Sequence, residues 1–343
     1  MPFLPDGSVR HGSVYRALVA NKAKLIYEEI GDWLEGVTPV PPSVISIPGL
    51  REQLVLQNNA SRILRKYRRE TGALELNTIE PNPVLENGAV KDLVVQKQNH
   101  ARCLIEEFMV AANGTMMTFL GGAGLPMIQR TVRTPRYWDE IVATAAALRK
   151  LSRHCPMQKH CRSSFFAGRM QILTGFPTFR STIVKLLGPG EYSTLEPGAP
   201  PVGHFSLAVV DYTHATAPNR RYVDIVNQRL AKSVLDQKQS PYTLQELADL
   251  AERLTDREKA SKKVKRYMRK AVAAVLLHSR TGDLFDGIVT GALEKGTYIR
   301  LIAPPAEGRI IRGEKSLWIG QKIRVRLLRT DPYNGFIDFS YAP

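Results

Sequence analysis

Along most of the chain the apolar positions recur at helical spacing, and from about Arg280 onward they alternate. In NKAKLIYEEIGDWLEG (21–36), Leu25, Ile26, Ile30, Trp33 and Leu34 share one helical face, with Gly36 as a stop and Tyr27 beside the face. A longer helix is predicted over 48–70, ending in the basic run RILRKYRRE before Gly72. The helical period returns at 99–120 through Leu104, Phe108, Ala111 and Ala112, again at 137–151, and in the amphipathic TFRSTIVKLLG (178–188). Thr243 and Glu246 form a capping box for a long helix reaching His278. Strands are predicted at SVYRALV (13–19), ALELNTI (73–79), AVKDLVVQ (89–96) behind the Asn87-Gly88 turn, 126–132 and HFSLAVV (204–210). The strand at 13–19 needs a partner, so the chain reads as beginning inside a sheet, with part of a domain expected upstream.

After Arg280, LFDGIVTGAL, GTYIRLIA, EGRIIRG, QKIRVRLLRT and GFIDFSYA give five short strands separated by Gly, Pro and Asp turns. That number over so short a span fits an OB-type barrel, a frequent carrier of single-stranded nucleic acid. Tyr298, Arg300, Arg312 and Trp318 could supply stacking and charge there. A barrel used only for packing or protein contact is the alternative. The expectation is an α+β protein with a domain over 1–279 and the barrel over 280–343.

The net charge of +16 narrows the partners. Clusters such as RILRKYRRE and SKKVKRYMRK (261–270) point to a polyanion, nucleic acid before an acidic membrane surface, although basic runs are often solvated helix faces. No run approaches a bilayer span, and MPFLPDGSVRHG lacks the basic-then-apolar order of a secretory signal, so a cytoplasmic protein is expected. Three cysteines do not make a disulfide scaffold. HCPMQKHC (154–161) suggests a metal site only superficially, because its spacing matches none of the strong zinc patterns. Cys103 shows no activating neighbour in sequence.

The stretch DYTHATAPNRRYVDIVNQR (211–229) carries the most chemistry. Pro218 suits a first helical position, which would set Arg220 and Arg221 in the first turn beside unpaired backbone N–H groups. A guanidinium there offers a bidentate fork to phosphate oxygens. The plainer alternative is an ion pair with Asp224, four residues past Arg220 and three past Arg221. Glu106 and Glu107 stand among apolar neighbours as solvent-facing spacers or as functional acids. Tyr27 is a core-edge tyrosine or a ligand contact.

HFSLAVVDYTHATAPNRRYVDIVNQRL resembles the signature of RNB-domain exoribonucleases, the ribonuclease II and ribonuclease R family. AKLIYEEIGDWLE (23–35) and IEEFMVAAN (105–113) agree with it in order, and the C-terminal strands resemble the family's S1-type OB domain. The resemblance covers essentially the whole chain. It implies the C-terminal part of an RNB catalytic domain, a mixed sheet with many helices, followed by an S1-like barrel. It also implies processive 3′-to-5′ hydrolysis of single-stranded RNA to nucleoside 5′-monophosphates, with Mg²⁺ as cofactor. Arg220 matches the family's catalytic arginine, and Glu106 and Tyr27 fall where relatives contact the terminal nucleotide. Arg221, Tyr212 and His214, with Lys265, Tyr298 and Arg300, complete the expected RNA-binding set.

The departures are specific. Ala217-Pro218-Asn219 replaces the usual Ser-Pro-Ile, Lys265 stands where relatives tend to have a glutamate, and Leu76 falls where ribonuclease II has a stacking aromatic. The family's D-x-D-D metal cluster and its cold-shock domains are not found in this sequence. No metal ligand is therefore assigned, and a non-catalytic RNA-binding protein or an inactive fragment is the alternative. A monomer, or a chain paired with the missing N-terminal portion, is expected.

Overall fold

In the computed structural model, which describes residues 4–10, 12–74, 81–133, 188–293, 296–313 and 317–343, the chain divides into two compact units. The first comprises Met1–Leu76, Gln98–Gly175 and Ile183–Asp256, and the second Asn77–Lys97, Phe176–Thr182 and Arg257–Pro343.

In the first unit, α1 (Tyr27–Leu34), α2 (Pro42–Ile45), α3 (Leu50–Glu70) and the amino-terminal part of α4 (His100–Gly122) close over Ile30, Val44, Leu54 and Ala101. Asn99 clamps α1 to α4: its Oδ1 caps α4 by accepting from Arg102 N at 3.0 Å, while its Nδ2 donates to Tyr27 O at 2.8 Å. The clamp needs a glycine opposite it, since a Cβ on Gly31 would lie 2.2 Å from Asn99 Nδ2. A second core joins α4, β3 (Met127–Thr131), β4 (Glu191–Leu195), α5 (Tyr222–Leu235) and the start of α6 (Leu244–Leu277) through Leu120, Met127, Ile128, Val226, Leu230 and Leu247. β3 and β4 pair antiparallel, and single bridges extend them, Val132 to His204 parallel and His204 to Val209 antiparallel. The capping box at α6 forms as the sequence indicates, with Thr243 N donating to Glu246 Oε2 at 2.7 Å and Glu246 N donating to Thr243 Oγ1 at 3.2 Å.

In the second unit, β1 (Pro81–Glu86) and β2 (Ala89–Val95) form the hairpin expected around Asn87-Gly88. Strands β5 (Leu284–Leu293), β6 (Gly296–Leu301), β7 (Glu307–Arg312), β8 (Lys322–Asp331) and β9 (Phe336–Ala342) close into a barrel in the order β5-β6-β7-β9-β8. The parallel β7–β9 pair makes the closure and is why all five strands are needed. Period-two burial holds along β6, with Ile299 and Leu301 inside and Tyr298 outside. Leu93 of the hairpin and Ala273, Ala274 and Leu277 of α6 share the barrel's core with Phe285, Val289 and Phe339.

Three sequence expectations need correcting. Residues 12–26 form no strand: Leu18 and Val19 are 105% and 84% exposed, and none of the described residues offers a backbone ladder to them. The helix expected from residue 21 begins only at Tyr27, where Ile30 first finds cover. HFSLAVV forms a 3₁₀ turn over Phe205–Leu207 in place of a strand, because Ala208 adopts a left-handed φ of 52° and doubles the chain back so that His204 N donates to Val209 O. The elements expected over 73–79 fall largely, and those over 137–151, 154–161 and 178–188 almost wholly, outside the described residues.

Candidate active site

The segment from Tyr212 to Ala217 has no regular structure, so its polar backbone must be satisfied from outside. Two fully buried asparagines do most of this. Asn113 on α4 accepts from Ala215 N at 2.9 Å and donates to the Tyr212 hydroxyl at 3.4 Å. Asn227 on α5 donates to Thr213 Oγ1 at 2.7 Å and to His214 O and Ile128 O at 3.1 Å. Gln228 Nε2 reaches Ala215 O at 2.7 Å, and Arg130 N donates to Tyr212 O at 2.9 Å. Helix and strand together fix the loop's path.

Asp224, fully buried, completes it. One of its oxygens accepts from Ala217 N and from Arg221 Nη2, each at 2.7 Å, and the other accepts from Arg221 Nε at 2.8 Å. The helix consequently begins one residue after Arg221. Pro218, Asn219 and Arg220 form a turn, and Arg221 is the N-cap, which corrects the placement of both arginines in the first helical turn. Among the two, Arg221 takes the ion pair with Asp224. Arg220 is exposed in the turn, and no acidic side chain among the described residues pairs with it.

The pinned loop assembles a chain of rings. His204 and Tyr212 meet edge-on with centroids 5.2 Å apart, Tyr212 and His214 at 5.6 Å, and His214 and Tyr192 at 5.8 Å. The Tyr192 hydroxyl lies 3.0 Å from His214 Nδ1, and the nearly buried Arg130 guanidinium stacks 4.7 Å above the Tyr192 ring. Burial, reinforced by Arg221 and Arg130, pushes the His214 pKa down to about 2. Burial and Arg130 push His204 down to about 4. Tyr212 is raised, chiefly by burial. Both imidazoles are therefore neutral at pH 7 and serve as hydrogen-bonding groups, while the positive charge around them comes from arginines.

Arg68, from the basic run on α3, links this cluster to α4. Its Nε donates to Glu107 Oε2 at 2.7 Å, Glu107 is 2% exposed, and Glu106 Oε1 lies 3.5 Å from Arg68 Nη2. Burial disfavours the Arg68 charge, yet the Glu107 hydrogen bond and charge outweigh it and raise the guanidinium's pKa. Glu106 also accepts from Gln98 Nε2 at 3.0 Å and is about half exposed. Tyr27 opens α1 with its ring 42% exposed and the Arg102 guanidinium 4.7 Å from its centroid. Of the residues singled out from sequence, Tyr212, His214, Arg220 and Arg221 lie on one pinned loop, and Glu106 and Tyr27 on α4 and α1. Lys265, Tyr298 and Arg300 lie in the second unit, where Tyr298 and Arg300 are successive outward positions of β6. The sequence reading assigned no role to Arg68, Arg130, His204 or the asparagine pins, although Arg68 stands in a basic run and His204, Asn113 and Asn227 lie within the stretches that resemble the family. Among the described residues no three His, Cys, Asp or Glu side chains converge to hold a metal ion.

A loop pinned from helix and strand, beside neutral histidines and arginines and followed in sequence by an OB-type barrel, is an arrangement suited to holding a polyanion. The RNB domain matches residues 1–237 and the RNase II-type exonuclease C-terminal S1 domain matches residues 283–342, so the chain belongs to the RNB family of exoribonucleases. It is 26% identical over 362 aligned positions to ribonuclease R of Thermotoga maritima, covering 97% of this chain and 50% of that protein. It is 25% identical to ribonuclease R of Aquifex aeolicus, over 99% of this chain and 51% of the relative. The apo form of Mycoplasma genitalium RNase R shares the fold with a TM-score of 0.76 at 20% identity, over 92% of this chain and 53% of that one. The same protein's complex with ribose methylated single-stranded RNA matches equally. The chain spans about half the length of the curated relatives it matches.

Proposed function

We propose that this chain carries the phosphate-gripping part of a 3′-to-5′ exoribonuclease site that takes single-stranded RNA and releases nucleoside 5′-monophosphates processively in the cytoplasm. The observation that carries the reading is Arg220. Its turn is anchored through Ala217 N and Asp224, no described carboxylate neutralises it, and its charge is felt at the buried, neutral His214. A guanidinium so placed holds a phosphodiester and stabilises charge that develops on its oxygens. Arg221, tied to Asp224, positions the turn. Glu106 and the exposed edge of Tyr27 contact the terminal nucleotide, and Tyr298, Arg300 and Lys265 contact RNA further along.

The family's usual divalent cation does not fit the described residues, which bring no set of oxygen ligands together. The test is stepwise shortening of 5′-labelled oligo(A) from its 3′ end, with release of mononucleotides, in the presence of Mg²⁺, by this chain alone and joined to the half of a relative that it does not span. Arg220→Ala should lower that release on the order of 10²–10³-fold. Release that Arg220→Ala leaves unchanged, or none in either form, refutes the proposal. The absence of converging metal ligands among the described residues favours a second reading, RNA binding without cleavage. It predicts log affinity falling with log salt at about −0.7 per neutralised phosphate in a chain that never cleaves.

A further inference from the structure

The α3 helix has a second basic face beside the one that carries Arg68. Asn58, Arg62, Arg65 and Arg69 recur at intervals of three and four along it, so they form one stripe. That stripe faces His100 and Cys103, which are themselves three apart on α4, across a cavity of about 530 Å³. Lys66 adds a further cation to the lining, and Glu70 is the one acid among the described lining residues. Two of the lining residues carry unmet polar groups. Asn58, 7% exposed, has its Oδ1 buried without a partner, and the buried His100 Nδ1 has none either. Arg65 is oriented by donating Nη1 to the Cys103 sulfur.

A solvated basic helix face explains none of this. Unpartnered buried polar atoms are uncommon, and two on residues that line one cavity point to a ligand that supplies hydrogen-bonding groups. Favourable placement near a helix C-terminus accounts for Arg69 but not for Arg62 or Arg65, which lie further back. Among the described residues the lining holds no Phe, Tyr or Trp, and His100 is its one aromatic ring. The ligand must bring anionic oxygens for the arginines and a hydroxyl that can both donate and accept at Asn58 and His100. A ribose-phosphate backbone has both, whereas DNA and polyphosphate lack the hydroxyl.

We propose that this α3–α4 cavity is a second RNA-binding site, gripping a ribose-phosphate segment through Arg62, Arg65 and Arg69 and its 2′-hydroxyl through Asn58 and His100. The proposal rests on RNA being the ligand of the chain, but not on Arg220 or on catalysis. It is tested by fluorescence anisotropy of the full chain with a labelled oligo(U), titrated over salt, with unlabelled RNA, DNA of matching sequence and polyphosphate as competitors. Arg62→Ala/Arg69→Ala should weaken binding about 10-fold and reduce the log–log salt slope by roughly 0.7 for each phosphate that is no longer neutralised. Asn58→Ala should leave the slope unchanged and narrow the preference for RNA over DNA. Far-UV circular dichroism and thermal melts establish that each variant folds, with Arg62→Gln as the milder replacement if the double variant does not. An unchanged slope in folded Arg62→Ala/Arg69→Ala, while Arg220→Ala reduces it, overturns this site alone. DNA and polyphosphate competing as well as RNA overturn the ribose assignment, and no RNA binding by the unaltered chain overturns this proposal together with the function above.

Discussion

Replacing Asp224 with alanine removes the acceptor of three hydrogen bonds at once and leaves their donors behind. The Ala217 N–H is buried and has no other partner described, a loss of about 1–3 kcal/mol. The two bonds from Arg221 are charge-assisted, at 2.8 and 2.7 Å, but this side chain is 20% exposed and recovers some hydration. The expected cost is therefore about 3–5 kcal/mol, the range for removing one member of a buried pair. Asp224→Asn keeps an acceptor for Ala217 N and should cost about 1–2 kcal/mol. Urea unfolding of Asp224→Ala, Arg221→Ala and the double variant closes a cycle whose coupling should exceed about 2 kcal/mol. Hydrogen exchange gives the local counterpart, since the Ala217 amide should lose protection in Asp224→Ala and keep it in Asp224→Asn. A coupling below about 0.5 kcal/mol, or an Ala217 amide equally protected in all variants, would refute the assignment of Asp224 as the anchor of the Arg220 turn.

His204 and His214 are held neutral, with pKa values of about 4 and about 2 against an ordinary 6.5, so the unfolded chain takes up protons first as pH falls. Stability should be intact above pH 6.5 and decline below it, by roughly 3 kcal/mol at pH 5.5 for the pair, and thermal melts of His204→Gln/His214→Gln should show a flatter decline. Glu107→Ala strands the nearly buried Arg68 and should cost about 3–5 kcal/mol, whereas Glu106→Ala, half exposed, should cost under about 1 kcal/mol in the same denaturation assay. Gly308→Ala would set a Cβ 2.4 Å from Ile337 O and 2.5 Å from the Phe339 ring, so the barrel should lose about 1–3 kcal/mol in a melt.

What the sequence made legible was local. The capping box of α6 and the alternation of β6 depend on residues within one turn or one strand, and both formed where the pattern placed them. The Asn-Gly hairpin is of the same kind. HFSLAVV misled because its apolar alternation says strand, while the left-handed Ala208 and the bond from Phe205 N to Val132 O are set by a strand some seventy residues earlier. Spacing alone left Asp224 free to pair with either Arg220 or Arg221; the structure gives it to Arg221, and only packing reveals that Asp224 is buried. The pins at Asn113 and Asn227 lie on helices far apart in sequence, so the signature marked the loop but not the side chains that jointly hold it.

The hairpin β1–β2 sits near residue 90, yet its Leu93 is buried in a cluster that includes Phe285, Phe339 and other residues of the barrel. During synthesis, at roughly 5–20 residues per second, this hairpin leaves the ribosome at least ten seconds before the strands that cover it. Over that interval Leu93 has no core to enter, and a two-stranded hairpin is marginal by itself. The nascent chain thus carries an uncovered apolar side chain until the barrel strands have emerged. A premature stop anywhere in the final sixty residues would leave that side chain open to chaperones, proteases and other nascent copies.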